Sequence, residues 1–210
     1  MSSQECQDWL SKLCAARPIQ FQESSGAVSC SVKPSTDGVL LEVVLNGVIL
    51  PTQHYLPVLH FLNTATEKDT VVFYIDNNGG SLFAGVTIAE AFKRTKAKVI
   101  TKAITIAASS AALIFTNGHE KTCLPGGHLM YHTASYLTYG KTQQHAQQCA
   151  YITGLVKKIM EETLGCNLIT EQEERDISRG SDIFIPGKVV RDRLQEHTGS
   201  KGRMGGEYGI

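Results

Sequence analysis

The hydrophobic positions of this chain follow two spacings in turn. Runs rich in β-branched residues fall at 39–45 (VLLEVVL), 70–75 (TVVFYI) and 99–106 (VITKAITI), and read as strands. The run at 70–75 is almost continuously apolar, as expected of a strand covered on both faces. Between them, residues 53–66 set Leu56, Leu59 and Leu62 on one helical face, with Pro57 near enough to the start to be tolerated. Residues 82–94 (LFAGVTIAEAFKR) predict an amphipathic helix after the break at Asp76-Asn77-Asn78-Gly79-Gly80-Ser81. Strand, Gly-rich turn, helix and strand make a βαβ unit. Further on, 121–124 and 128–132 (HLMYH) predict short strands. Residues 143–164 predict a long helix, 171–178 a short acidic helix capped by Thr170, and 186–194 a last helix.

The long helix is divided by polarity. Tyr151, Ile152, Leu155, Val156, Ile159 and Met160 form an apolar stripe in its second half, whereas its first half (QQHAQQCA) is polar. Residues 1–37 carry weak signals: a short helix at 6–16, then a polar stretch broken by Pro18, Gly26 and Pro34 that reads as an arm or an edge hairpin. Residues 198–210 read as a flexible Gly-rich tail. The alternation in between predicts a single α/β domain over 38–197.

Composition narrows the function. Twenty basic and twenty acidic residues leave no net charge, so no nucleic-acid partner is expected. No apolar run is long enough to span a bilayer, so no membrane partner is expected. The polar N-terminus and six scattered cysteines without CxxC spacing predict a cytoplasmic chain with free thiols. No HExxH, carboxylate cluster, GxGxxG or GxxxxGK[ST] occurs, and neither metal nor cofactor is expected.

The candidate chemistry gathers around 99–112 (VITKAITIAASSAA), where Ser109 and Ser110 join a strand to a helix. A serine there is either an N-cap or a nucleophile presented beside free backbone N–H groups. On this stretch alone the cap is the commoner explanation. A nucleophile also needs a base, an orienter and oxyanion donors. Among seven histidines His132 ends an apolar strand, with His128 as its competitor; His54, His60, His119, His145 and His197 suit solvated roles better. Asp182 precedes an apolar triplet, with Asp176 in a charged run as its rival. Gly79 and Ser110 are placed to offer backbone N–H groups.

At these residues the chain resembles the ClpP family, the proteolytic subunits of the Clp protease, and its phage-encoded relatives. YIDNNGGSLFAG resembles that family's YINSPGGSxxAG, and ITIAASSAALIF its GQAASMGAFLL. CLPGGHLMYH resembles ALPNSRVMIHQP, and ERDISRGSDIF resembles ERDTERDxF. The likeness runs in matching order over about 38–195. It implies Ser109 as nucleophile, His132 as base and Asp182 as orienter, with Gly79 and Ser110 as oxyanion donors. The implied fold is the α/β ClpP/crotonase type, a spiral of ββα units with a projecting handle helix at 143–164. The implied activity is that of an ATP-independent serine endopeptidase core acting on peptides or unfolded proteins. Implied partners are further copies in stacked rings and an AAA+ unfoldase.

The chain also departs from the pattern. Asp76-Asn77-Asn78 stands where the family has Asn-Ser-Pro, and SYLTYGKTQQ is poor in glycine where the family is rich in it. Residues 1–37 do not resemble the family's axial loops. Two rival readings follow: a catalytically silent ring subunit that scaffolds an active partner, and a CoA-thioester enzyme on the crotonase-type fold, which the His132 and Asp182 motifs disfavour.

Overall fold

The computed structural model describes residues 28–35, 38–135 and 141–204. The helix expected at 6–16 lies outside them. One sheet of seven strands organises the chain: β1 (Val28–Pro34), β2 (Val39–Ile49), β3 (Thr70–Gly80), β4 (Lys98–Ala108), β5 (Glu120–Cys123), β6 (His128–Tyr131) and β7 (Ile183–Pro186). The spatial order is β1-β2-β3-β4-β6-β7, with β5 also paired to β4. Pairings from β2 through β6 are parallel, and the edge strands β1 and β7 are antiparallel. The polar stretch before residue 38 therefore contributes an edge strand: β1 and β2 form the hairpin alternative.

Among the described residues six helices accompany the sheet: α1 (Leu56–Thr64), α2 (Leu82–Arg94), α3 (Ser110–Thr116), α4 (Thr142–Gly165), α5 (Glu171–Ser178) and α6 (Gly187–Met204). A 3-10 turn at Thr52–Tyr55 leads into α1. Helix α2 packs on α1 and α3, and α6 packs on β5, β6 and β7. The cap predicted at Thr170 is present, in the form of a capping box. Its side chain accepts from Glu173 N–H while Glu173 accepts from Thr170 N–H.

The burial follows the sequence pattern. In β2, Leu41, Val43 and Leu45 are fully buried while Val44 is partly exposed, so one face of this strand is open. In β3, Val71, Val72, Phe73 and Ile75 are all buried, as a strand covered on both faces requires. Three bounds differ from the sequence reading. Strand β3 runs on through Asn77–Gly80, which the residue types mark as a turn, because Asn77 pairs with Ala107 and Gly80 with Ile49. Strand β7 occupies part of what reads as the start of the last helix. Helix α6 continues to Met204, past the point at which a flexible tail is expected. Among the described residues no helix is long and apolar enough to cross a membrane. Cys30, Cys123 and Cys166 are free, and burial pushes the Cys30 thiol up to about 11.

Candidate active site

The site forms where β4 changes partner. Its first half pairs with β5 (Ile100↔Glu120 to Ala103↔Cys123) and its second half with β6 (Ile106↔His128 to Ala108↔Met130). Ser109 is the first residue past that ladder, and its N–H donates to the Met130 carbonyl at 2.9 Å. The junction serine is thereby tied to the strand that ends at Tyr131, just before His132. Ser109 stands at the N-cap position of α3 but makes no side-chain cap bond, so the capping explanation has no hydrogen bond to rest on. Its backbone is held at φ 55°, ψ −124°, a region that costs a non-glycine residue about 1–3 kcal/mol.

Ser109 and His132 line one cavity of about 320 Å³. Ser110, Asn78 and Gly80 contribute its polar wall, and Leu82, Leu113, Met130, Val156, Ile159 and Met160 contribute apolar surface. The competitor His128 does not line this cavity; it faces Phe184 across the sheet, with ring centroids 6.4 Å apart. A buried relay fixes the strand behind His132. Tyr131 Oη lies 3.0 Å from Thr116 Oγ1, and Thr116 Oγ1 donates to the Ala112 carbonyl at 2.8 Å. Burial pushes the Tyr131 phenol well above its usual range, with the Thr116 contact opposing weakly, so the link stays protonated. The strand carrying the histidine is thus bonded to the helix that follows the serine.

Asp182 is exposed and does not line the cavity. The β6–β7 ladder ends with Tyr131 paired to Ile183, so His132 and Asp182 are the residues next to its last pair. The rival Asp176 is committed on the surface of α5, where it accepts from Gln172 Nε2 at 3.0 Å and pairs with Arg179. Among the described residues no hydrogen bond joins Ser109 Oγ, His132 and Asp182.

The expectation for Gly79 meets a competing hydrogen bond. Gly79 does sit against Ser109: at φ 92°, a Cβ there would lie 2.6 Å from Ser109 Cβ and 2.7 Å from the Ala108 carbonyl oxygen, so only glycine fits. Its N–H, however, donates to Asn77 Oδ1 at 2.8 Å and is not free for an oxyanion. The glycine that lines the cavity is Gly80. A second Gly in the pair was the available signal, but which peptide group is taken depends on a side chain. Ser110 is the first residue of α3, so helix geometry leaves its N–H without an intrahelical acceptor. The apolar lining by Leu82 and Met130 was also not foreseen, because it comes from segments far apart in sequence.

Comparison with known proteins bears on this geometry. The family model described as Clp protease matches residues 50–184, which run from the end of β2 to β7 and include both cavity residues and Asp182. A curated relative, "ATP-dependent Clp protease proteolytic subunit 1" of Gloeobacter violaceus, is 27% identical over 147 residues, covering 65% of this chain and 73% of that protein. The matched span takes in well over half of the 210 residues, so the chain belongs to the Clp protease family.

Proposed function

We propose that this chain is the peptidase subunit of a self-compartmentalising serine protease, with Ser109 as nucleophile, His132 as general base and Asp182 as the group that orients it. The observation that carries the reading is the pair Ser109 and His132 on one cavity, with Ser109 in a strained conformation and bonded to the strand that presents the histidine. Ser109 Oγ attacks the peptide carbonyl carbon as His132 takes its proton. The C–N bond then breaks as His132 passes that proton to the leaving amine. Water, deprotonated by the same imidazole, frees the acyl group. The developing oxyanion is held by the N–H groups of Ser110 and, in place of Gly79, Gly80. None of these steps uses a nucleotide.

The apolar lining suits a substrate side chain such as Leu or Met beside the scissile bond. Burial along α4 fits assembly with further copies. Ile159 and Met160 are buried within the chain, but Tyr151 at 63% exposure leaves the apolar stripe uncovered toward the polar end. Stacked rings, with an AAA+ unfoldase for folded substrates, are the assembly this reading implies; sedimentation velocity of the full chain tests it, and a monomer at every concentration would remove it. The missing hydrogen bonds among Ser109, His132 and Asp182 favour the second reading, a silent scaffold subunit. Hydrolysis of a fluorogenic peptide separates the two. Activity lost in Ser109→Ala and largely kept in Ser110→Ala supports the peptidase, because alanine keeps the Ser110 N–H. A wild-type assembly without turnover supports the scaffold.

A further inference from the structure

We propose that Asn77 is a positioning residue for the oxyanion site, acting through its side-chain oxygen on the Gly79–Gly80 turn; the proposal rests on the peptidase reading above. Asn77 is 1% exposed, near the end of β3, with its Cα in register with Ala107 of β4. Its Oδ1 accepts the Gly79 N–H at 2.8 Å, an Asx turn closed over two residues. Because the partner is a backbone donor, the amide must present oxygen to it, which fixes the orientation of the side chain. The other end of the amide, Nδ2, is buried with no hydrogen-bond partner among the described residues.

A buried NH2 group without a partner is unfavourable, and an apolar side chain of the same size would avoid it. The core gains nothing from this amide that leucine would not give. What leucine cannot supply is the acceptor for Gly79. That bond holds the peptide between Asn78 and Gly79, and so constrains the next peptide, whose N–H belongs to Gly80. The residue types of the turn do not by themselves select this arrangement. Gly79 at φ 92° and Gly80 at φ 144° are both in conformations open to glycine, which is also the residue with most alternatives. Gly79 is wedged against Ser109 Cβ and the Ala108 carbonyl, while a Cβ on Gly80 would lie 2.4 Å from the Ile49 carbonyl oxygen. Asn77 selects one orientation of a flexible pair that touches the nucleophile on one side and lines the cavity on the other.

Such a role predicts a split between turnover and stability. In the full chain, Asn77→Leu is expected to lower kcat for a fluorogenic peptide by about 100-fold, with KM changed by less than about 3-fold, as for loss of an oxyanion donor. Its thermal midpoint is expected to fall only modestly, because the Gly79 N–H loses its buried acceptor while the unpartnered amide is removed with it. Asn77→Ser and Asn77→Asp keep an oxygen that can accept from Gly79, and are expected to recover most of kcat; the serine variant covers the case in which a buried carboxylate prevents folding. Turnover unchanged in Asn77→Leu overturns the proposal. So does equal loss of kcat in the folded leucine and serine variants, which would assign the effect to the NH2 group. Fluorophosphonate labelling of wild-type Ser109, run alongside, separates this failure from that of the parent reading: a labelled, active wild type with an indifferent Asn77 rejects only the positioning role, whereas an unlabelled wild type rejects both.

Discussion

The two ends of β3 carry buried polar side chains that are treated in opposite ways. At its entry, Asp69 is 2% exposed and its carboxylate is fully engaged: Oδ1 accepts from Val39 N–H at 2.9 Å, and Oδ2 from Thr66 N–H at 2.7 Å and Thr66 Oγ1 at 2.9 Å. Its carbonyl also accepts from Lys98 N–H, so one residue joins the starts of β2, β3 and β4. At the exit, Asn77 Nδ2 and Ser110 Oγ are buried without partners among the described residues, and Ser109, Gly79 and Gly80 all have positive φ. The entry is closed and satisfied; the exit holds strain and unspent hydrogen-bonding capacity. Ligands of parallel sheets bind at the carboxyl ends of the strands, and the physical reason is visible here. One end of the strand can be made rigid so that the other can be left poised.

The comparison can be broken at either end. The largest effect is expected at the exit: if Asp182 orients His132 as proposed, Asp182→Asn should lower kcat by about 10⁴-fold with the fold intact. Asp176→Asn should change turnover little, because that carboxylate is already held by Gln172 and Arg179. A damaging Asp176→Asn would move the orienting role to α5. At the entry the loss should be in stability. Asp69→Ala leaves two backbone donors and a hydroxyl without their acceptor, and urea unfolding should show a loss of about 3–5 kcal/mol. Activity per folded molecule should stay near wild type. Normal stability in that variant would show that the closed end is not what anchors the sheet.

The smallest effect sharpens the account of the support behind β7. Glu173 joins α5 to α6 through two bonds to Arg193, at 2.9 and 3.0 Å. Burial pushes the Glu173 carboxyl up, but the Arg193 bonds and the Thr170 N–H outweigh it, and the net shift is below the usual 4.5. A carboxyl lowered in the folded state contributes stability above its unfolded value, and loses it as pH falls through the folded one. Glu173→Gln should therefore cost about 1 kcal/mol at neutral pH, and the gap from wild type should close below about pH 4.5. A gap independent of pH would mean that the pair acts by shape alone.

Much of this was legible in the chain. The βαβ unit, the serine at the junction of β4 and α3, the histidine at the end of β6 and the cap at Thr170 all follow from local pattern. Other features depend on contacts that no local window contains. Asp-Asn-Asn-Gly-Gly carries turn chemistry, yet strand pairing with Ala107 and Ile49 on either side keeps it in β3. The four residues of β7 are too few for a period to show, and only pairing with β6 makes them a strand, with Asp182 and His132 next to its last pair. Gly79 was expected to be an oxyanion donor because glycine permits close approach. The approach is real, but the N–H is taken by a side chain whose reach depends on the fold.

The claim that the strained exit of the sheet is a nucleophile's seat is tested most directly by fluorophosphonate labelling of the full wild-type chain, with the adduct mapped by mass spectrometry. The account predicts one adduct, on Ser109, absent in Ser109→Ala and kept in Ser110→Ala. A folded wild-type chain that takes no label, or takes it on Ser110, would contradict it.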